Sequence, residues 1–448
     1  MIKLAKKYDL KVPRYTSYPT TPHFSDAVDG ETYKGWLAEL DPAQALSLYF
    51  HIPFCDEMCW FCGCYTKIVA RYDPIAAYME TLLKEVDLAA DALPGKYRAR
   101  HLHWGGGSPT MLTPDDWRRL IDRLRSRFDV TDDAEIAVEL DPRETTEDYV
   151  KGLASASVNR ASIGVQDFNP EVQQAINRIQ PFEVTKQVFA WLRQNGITGI
   201  NMDLMYGLPY QTIARVIDMV DKAVSLEPRR IAIFGYAHVP WMKEHQKMIK
   251  EQTLPDVEER WEQSEAASKR LEELGYIRIG FDHFARPDDS LASALKGGSL
   301  HRNFQGYTAD KASTLIGFGA SAIGSLPQGY VQNFLPTKQY TDLVEAGALP
   351  IAKGIVTGSE DILRREIIER LMCDMEVDID TVCAHHQVEA DHFSEELNRL
   401  SPYVDDDICR IDGGKIFVSE NARPFVRLIA ATFDRYLNTK EGRHSSAV

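Results

Sequence analysis

From residue 45 to about 238 the chain repeats one plan: a short β-branched or aromatic run, a turn rich in Gly, Pro or Asp, then a longer stretch with apolar residues three and four apart. These two periods predict the βα units of a parallel sheet. Six runs read as strands: 45–53, 101–107, 135–141, 160–168, 199–207 and 230–238. The stretches 73–93, 113–128, 145–156, 182–195 and 210–226 read as the helices between them, several starting with Thr or Asp before an acidic first turn. The prediction is an α/β fold: an incomplete six-stranded parallel (β/α) barrel, or an open sheet. Residues 1–44, rich in Pro and Tyr, are expected to form an irregular arm. Beyond the strands come a helix pattern at 256–275, a strand running into a loop at 277–289, and a Gly-rich segment at 295–326. The pattern changes at about 358, with helices at 361–375 and 390–400, a hairpin at 409–418 and a closing helix at 422–437. The expected organisation is an arm (1–44), a barrel with its extension (45–345) and a smaller, mostly helical C-terminal domain (346–448).

Every unusual cluster in the repeating region follows a strand. Four cysteines follow the first, GGGSP the second, Glu139 and Asp141 end the third, Gln166 and Asp167 the fourth, Asp203 lies near the end of the fifth, and Tyr236-Ala237-His238 closes the sixth. In parallel α/β folds the loops at the C-terminal edge hold ligands, because they vary freely over a rigid scaffold. One site on one rim is expected.

Charge and composition narrow the function. The 448 residues carry a formal net charge of −15, which opposes nucleic-acid binding. Two helices, a hairpin and a helix can make a winged DNA-binding module, but Asp405-Asp406-Asp407 argue against phosphate contacts. No apolar run approaches the ~20 residues of a membrane span, and the N-terminal residues lack a secretory pattern, so a cytoplasmic protein without membrane insertion is expected.

Of 7 cysteines, Cys55, Cys59, Cys62 and Cys64 are crowded together, while Cys373, Cys383 and Cys409 are scattered and read as small buried hydrophobes. Clustered thiols in a non-secreted chain point to metal or chemistry rather than disulfides. Three thiolates on so short a loop can wrap one face of an iron–sulfur cube and leave its fourth iron open. Cys64, one residue beyond Cys62 in an extended turn, is read as pointing away and staying free. The alternative is a structural tetrathiolate zinc site, although zinc sites usually bring their ligands as two separated pairs.

The flanking residues turn this pattern into a resemblance. HIPFCDEMCWFCGC (51–64) resembles the cluster loop of the radical S-adenosylmethionine (SAM) superfamily. PRYTSYPT (13–20), HWGGGSPT (103–110), VELDPRE (138–144), GVQDFN (164–169), INR (176–178), DLMYGLP (203–209), YAH (236–238), DHFARPDD (282–289) and LHRNFQGYT (300–308) extend it. This ordered set, from residue 13 to beyond 320, resembles the oxygen-independent coproporphyrinogen III oxidases, and the likeness thins in the C-terminal domain.

The resemblance implies a radical SAM barrel, a [4Fe-4S] cluster held by Cys55, Cys59 and Cys62, and two SAM molecules. A reduced cluster would split SAM, the resulting radical would take hydrogen from a propionate β-carbon, and loss of CO2 and an electron would leave a vinyl group. Two rounds would convert coproporphyrinogen III to protoporphyrinogen IX. Tyr49, Gly106, Glu139 and Ile323 would bind one SAM, and Phe61, Gly107, Ser108, Gln166, Arg178, Asp203 and Ala237 the other. Read without the family, the triple glycine suits a tight strand-to-helix turn equally well, and Glu139 and Asp203 suit satisfied structural acids. The four carboxylates of such a substrate need local positive charge; Arg14, Lys67, Arg71, Arg286 and Arg302 are the candidates, with Tyr15 helping the arm to cover the pocket. His238 and His283 are proton donors or buried, satisfied histidines. An electron donor such as flavodoxin or ferredoxin, an unidentified terminal electron acceptor and a monomer are expected. The rivals are a haem-binding chaperone of the sister family and a radical SAM enzyme that opens the haem ring. The PRYTSYPT arm speaks against both, Cys64 against the first and LHRNFQGYT against the second.

Overall fold

The computed structural model describes residues 2–8 and 10–437. All six expected strands form: β1 (Ala45–Ile52), β2 (Arg98–Gly106), β3 (Asp129–Leu140), β4 (Arg160–Gln166), β5 (Gly199–Tyr206) and β6 (Arg230–Gly235). They lie side by side in chain order and every neighbouring pair is parallel. Their helices fall where the apolar spacing placed them, at Asp73–Ala92, Pro114–Arg127, Glu147–Ser155, Phe182–Gln194 and Ile213–Ser225. Thr113, Thr146 and Thr212 each cap a helix through the side-chain oxygen.

The sheet is wider than the six strands. The region 277–289 contains two short strands, β7 (Ile277–Ile279) and β8 (His283–Ala285), and β8 pairs antiparallel with β6. From the Gly-rich segment and its continuation come β9 (Thr314–Phe318), β10 (Ile323–Leu326), β11 (Gly329–Asn333) and β12 (Ile351–Val356). β9 runs parallel to β1 and β10–β12 continue as an antiparallel meander, giving the order β12-β11-β10-β9-β1-β2-β3-β4-β5-β6-β8-β7. The two ends do not pair, so the barrel stays open. The expected 345/346 boundary falls ahead of β12, which belongs to the large sheet; the second apolar core starts with helix Ser359–Asp374.

That core contains a three-stranded sheet, Cys409–Asp412 and Lys415–Val418 forming the hairpin, beside short helices. The closing helix is shorter than expected: a 3-10 turn at Glu420–Phe425 containing Pro424, then Val426–Ala431. The arm, expected to be irregular, contains helices at Ile2–Lys7 and Gly30–Ala38. Its Ala5, Tyr8, Val12, Tyr15 and Tyr18 are buried in the second core, so the first residues of the chain are tied to the last described ones. Asp406, read above as an obstacle to phosphate, accepts from Lys7 Nζ and Tyr8 Oη. No described helix is long and apolar enough to cross a membrane.

β4 and β5 alternate cleanly. Ala161, Ile163, Val165, Ile200, Met202 and Leu204 are buried toward the helices, while Ser162, Gly164, Asn201 and Asp203 face the lumen half-open. The lumen is therefore polar, and the apolar core is the layer between strands and helices. Glu85, on the helix after the cysteine loop, is fully buried; its carboxylate accepts from Gly319 N (2.7 Å), Tyr340 Oη (2.7 Å) and Asn333 Nδ2 (2.6 Å), clamping β9–β11 to that helix. Burial pushes its pKa up to about 7. Between its unfolded value near ~4.3 and 7 the folded state holds the extra proton, so this group destabilises the fold as pH rises through that window, by roughly 2 kcal/mol from pH 5.5 to 7.5. Asp203 and Asp167, also raised, act in the same direction. The melting temperature should therefore fall from pH 5.5 to 7.5, and fall less in Glu85→Gln; equal slopes in the two proteins would refute this account.

Candidate active site

The cysteine loop leaves β1 at Ile52 and returns beside its own start, where Phe54–Cys55 pairs with Lys67–Ile68. The INR segment tethers it residue by residue. Ile176 O accepts from Trp60 N (2.9 Å), Asn177 Nδ2 donates to Met58 O (2.9 Å), and Arg178 Nη1 lies 3.5 Å from Cys59 Sγ. On the other flank Gln246 Nε2 donates to Phe61 O (3.1 Å), and His245 Nε2 lies 2.7 Å from Cys62 O. A loop this heavily restrained presents its thiols at fixed points without a metal to organise it.

All four cysteines line one cavity of about 200 Å³, floored by the ends of β2–β5. Each of the three expected ligand sulfurs receives a donor: Thr66 Oγ1 to Cys55 (3.1 Å), Arg143 and Arg178 to Cys59 (3.5 Å each), Cys64 N to Cys62 (3.4 Å). Hydrogen bonds to cysteine sulfur tune and stabilise iron–sulfur ligation, and two guanidiniums offset its negative charge. Ligands of one zinc, at ~2.3 Å from the metal, would sit about 3.8 Å apart. Among the described residues no three loop thiols lie mutually within 4.8 Å; the one such triplet of candidate ligands is Glu366, His385 and His386, in the C-terminal domain. One expectation changes: Cys64 lines the same cavity as the others, because residues two apart in extended chain share a side.

Asp141 is held by Arg143 Nη2 (2.7 Å) and Arg178 Nη1 (3.0 Å); burial opposes its charge, yet the two arginines keep its carboxyl below the ordinary range. Glu139, one strand position before the turn, lies 3.1 Å from His103 Nε2 and accepts from Gly106 N (3.2 Å). Burial works against ionisation here too, but His103 and Gly106 hold it ionised, and 41% of its side-chain surface opens on the cavities. Asp203 accepts from Ser162 Oγ (3.3 Å) alone among the described residues, and burial, with the charge of Glu139, pushes it up to about 7. Two carboxylates of unequal basicity thus share one wall, each with acceptor capacity left for hydroxyls or an ammonium group.

The glycines answer to the protein itself. A Cβ on Gly105 would lie 2.5 Å from Glu139 Oε1, on Gly106 2.4 Å from the His51 ring, and on Gly107 2.6 Å from Phe54 O. Gly106 also has φ +111°, and Gln166 is held in the left-handed region at φ 70°.

Tyr49 stacks on His103 (5.9 Å between ring centroids), and its register partner Gly317 packs against Ile323, so these two assigned residues meet through β9. Gly106, Gly107, Ser108, Glu139, Gln166, Arg178, Asp203 and Phe61 all line the cysteine cavity; Ala237 lines a different one, bounded by Tyr206, Trp241 and Arg260. The substrate candidates scatter. Arg14 reaches that second cavity, and Arg302 is buried beside Asp282 (3.8 Å). Tyr15 is buried in the second core and donates to Asp434 (3.0 Å). Lys67 is exposed and bonded to Thr337, and Arg71 is exposed. Arg286 sits next to Arg229, at the N-terminal ends of the parallel strands and thus on the opposite rim. His283 is buried against Asp282 (2.6 Å), and His238 bonds Tyr236 (2.8 Å). The sequence reading missed Arg143 and His103, although each stands inside a motif it quoted, at the end of a strand.

The radical SAM superfamily model matches residues 49–223, from Tyr49 through the helix after β5. The oxygen-independent coproporphyrinogen III oxidase of Bradyrhizobium diazoefficiens is 49% identical over 438 residues, covering 98% of this chain and 97% of its own length. That of Paracoccus denitrificans is 42% identical with the same coverage. The solved structure of the coproporphyrinogen III oxidase of Escherichia coli, a radical SAM enzyme, superposes with a TM-score of 0.91 at 37% identity, over 96% of this chain and 100% of its own. This chain belongs to the oxygen-independent coproporphyrinogen III oxidases. As a member of this family it uses a [4Fe-4S] cluster and SAM, and the cysteine cavity fits both: three cysteine sulfurs that each receive a donor, and two carboxylates, share its lining. The family likeness extends through the C-terminal domain, where the motifs had thinned.

Proposed function

We propose that this chain oxidatively decarboxylates two propionate side chains of coproporphyrinogen III to vinyl groups, giving protoporphyrinogen IX without oxygen. The observation that carries the reading is the end-to-end identity with enzymes of that name, with the cysteine loop, Glu139 and Asp203 placed around one cavity. When bound, the cluster and SAM supply a carbon-centred radical able to take hydrogen from a propionate β-carbon.

The protein's own residues position and shield. Cys55, Cys59 and Cys62 hold the cluster, while Arg143 and Arg178 balance charge at Cys59 and fix Asp141. Glu139 and Asp203 accept from the hydroxyls and ammonium of SAM; Gly106, Tyr49 and Ile323 border one SAM, and Phe61, Gly107, Ser108, Gln166 and Arg178 the other. Support for two SAM molecules is that a second cavity, of about 260 Å³, continues down the lumen from Glu139, Ser162 and Asp203. The C-terminal domain pins the arm over the rim. An electron carrier such as flavodoxin or ferredoxin would serve as the reductant, and a separate acceptor would take the last electron.

The test is anaerobic. Reconstituted protein with reductant, SAM, coproporphyrinogen III and a cell extract as source of the terminal electron acceptor should yield protoporphyrin after oxidative work-up, together with methionine. SAM cleavage with coproporphyrinogen untouched would overturn the proposal, as would zinc without iron.

A further inference from the structure

The C-terminal ends of β5 and β6, helix Val257–Glu273, the arm and the turn at Glu420–Phe425 enclose a cavity of about 290 Å³. Ile233 and Gly235 of β6 face it, whereas Ala232 and Phe234 face the lumen, so one strand separates the two. Its charge is one-sided: Lys11, Arg14, Arg260 and Arg427 line it, and Asp282 is the one carboxylate among the described lining residues. Asp282 is already engaged, 2.6 Å from His283 Nδ1 and 3.8 Å from Arg302 Nη1.

Arg14 is oriented but not neutralised by the bond seen here: its Nη2 donates to Gly235 O (3.1 Å), a backbone carbonyl. Arg427 donates to Pro13 O (3.0 Å) and Val12 O, which fixes it against the arm. Arg260 Nε is buried without a hydrogen-bond partner. Burial lowers the pKa of Arg14 and of Arg427; at Arg14 the charge of Asp282 offsets part of this while Arg302 and Arg260 add to it, and at Arg427 Arg14 and Arg302 add to it. Cations gathered in a half-closed space are costly unless an anion joins them. Tyr206, Tyr236, Trp241 and Trp261 supply flat apolar walls between the charges. Guanidiniums preset around aromatic surface are a receptor for a carboxylate on a planar ring.

We propose that this cavity is a carboxylate subsite of the enzyme and takes a non-reacting propionate of the porphyrinogen, its pyrrole ring against the aromatic wall, with Arg260 as the main anchor. This rests on the function proposed above. It also gives Arg14 a role: the arm contributes one side of the receptor.

The test uses the cluster-loaded full chain. Arg260→Gln should raise KM for coproporphyrinogen III roughly tenfold to hundredfold while leaving SAM affinity and melting temperature unchanged, and Arg260→Lys should recover part of the loss. Binding of the oxidised tetracarboxylate coproporphyrin III, read by fluorescence, should weaken by a similar factor, and its tetramethyl ester should distinguish the variant from the parent much less. Unchanged KM and unchanged porphyrin affinity in Arg260→Gln would overturn the proposal, and so would a loss confined to SAM binding, which would assign the cavity to the cofactor. If Arg260→Gln is unstable, Lys11→Gln on the exposed lip makes the same comparison. A parent enzyme that binds coproporphyrin III but leaves coproporphyrinogen III unconverted would instead count against the proposed function.

Discussion

Cys59→Ala is expected to lose nearly all bound iron and all protoporphyrin formation. Cys59 is the most buried of the four loop cysteines, and its sulfur faces two guanidiniums at 3.5 Å. Removing the thiolate takes away a ligand and the sulfur that Arg143 and Arg178 share, leaving those guanidiniums to Asp141 and Glu57. Cys64→Ala should keep its iron, because three sulfurs suffice and Cys64 serves Cys62 through a backbone amide that alanine retains. Cys383→Ala, in the second core, should lower stability and leave iron untouched. Iron and sulfide per chain, with the electron paramagnetic resonance of the reduced protein, separate these outcomes. Parental iron in Cys59→Ala would falsify the three-ligand assignment, and iron loss in Cys64→Ala would make it a four-cysteine site.

The second large effect is expected of Gly106→Ala. Two independent obstacles coincide there. At φ +111° an L-residue is strained, and the new methyl would lie 2.4 Å from the His51 ring. That ring has little freedom, since Nδ1 is 3.1 Å from Tyr49 Oη and Nε2 3.0 Å from Tyr65 O. Backbone strain and overpacking together should cost roughly 3 kcal/mol. Relief by movement would shift the Gly106 N–H off Glu139, and displacements of about 1 Å at such positions lower turnover by around 10²-fold. Gly95→Ala, where a Cβ meets nothing within 4 Å, is the control and should match the parent in melting temperature and turnover.

What the sequence disclosed follows from how regular each part is. The six parallel strands and their helices were legible because burial on alternate faces writes a clean period into each run, as in β4 and β5. β9–β12 were not. Glycines interrupt the alternation there, and these strands are 4 to 6 residues long, too short for a period to declare itself. The short β7 and β8 were hidden in the same way. Residues at strand ends could be expected on one rim by position alone, since a parallel sheet delivers all its C-terminal ends to one side, and they line one cavity there. Candidates taken from loops fared worse: Arg286 lies on the opposite rim because β8 runs antiparallel, a direction no local pattern encodes. Arg260 was invisible for a similar reason. On its helix it is one charged residue among many, and only the fold sets it against Arg14 and Arg427. Cys64 was assigned the wrong side by treating a residue two positions on as if it were the next.

The arm's attachment has a consequence for how the molecule is made. Lys7 and Asp406, separated by 399 positions, and Tyr15 and Asp434, separated by 419, are bonded partners. A ribosome adding ~5–20 residues per second releases the arm and then needs roughly 20–80 s to deliver what it docks against. For that interval Tyr8, Val12, Tyr15 and Tyr18 have no core to enter, and the barrel rim stands uncovered with its cysteine loop already made. Closure of the rim thus waits for residues beyond 400, and a nascent chain stalled before them would hold its four loop cysteines with no cover over them.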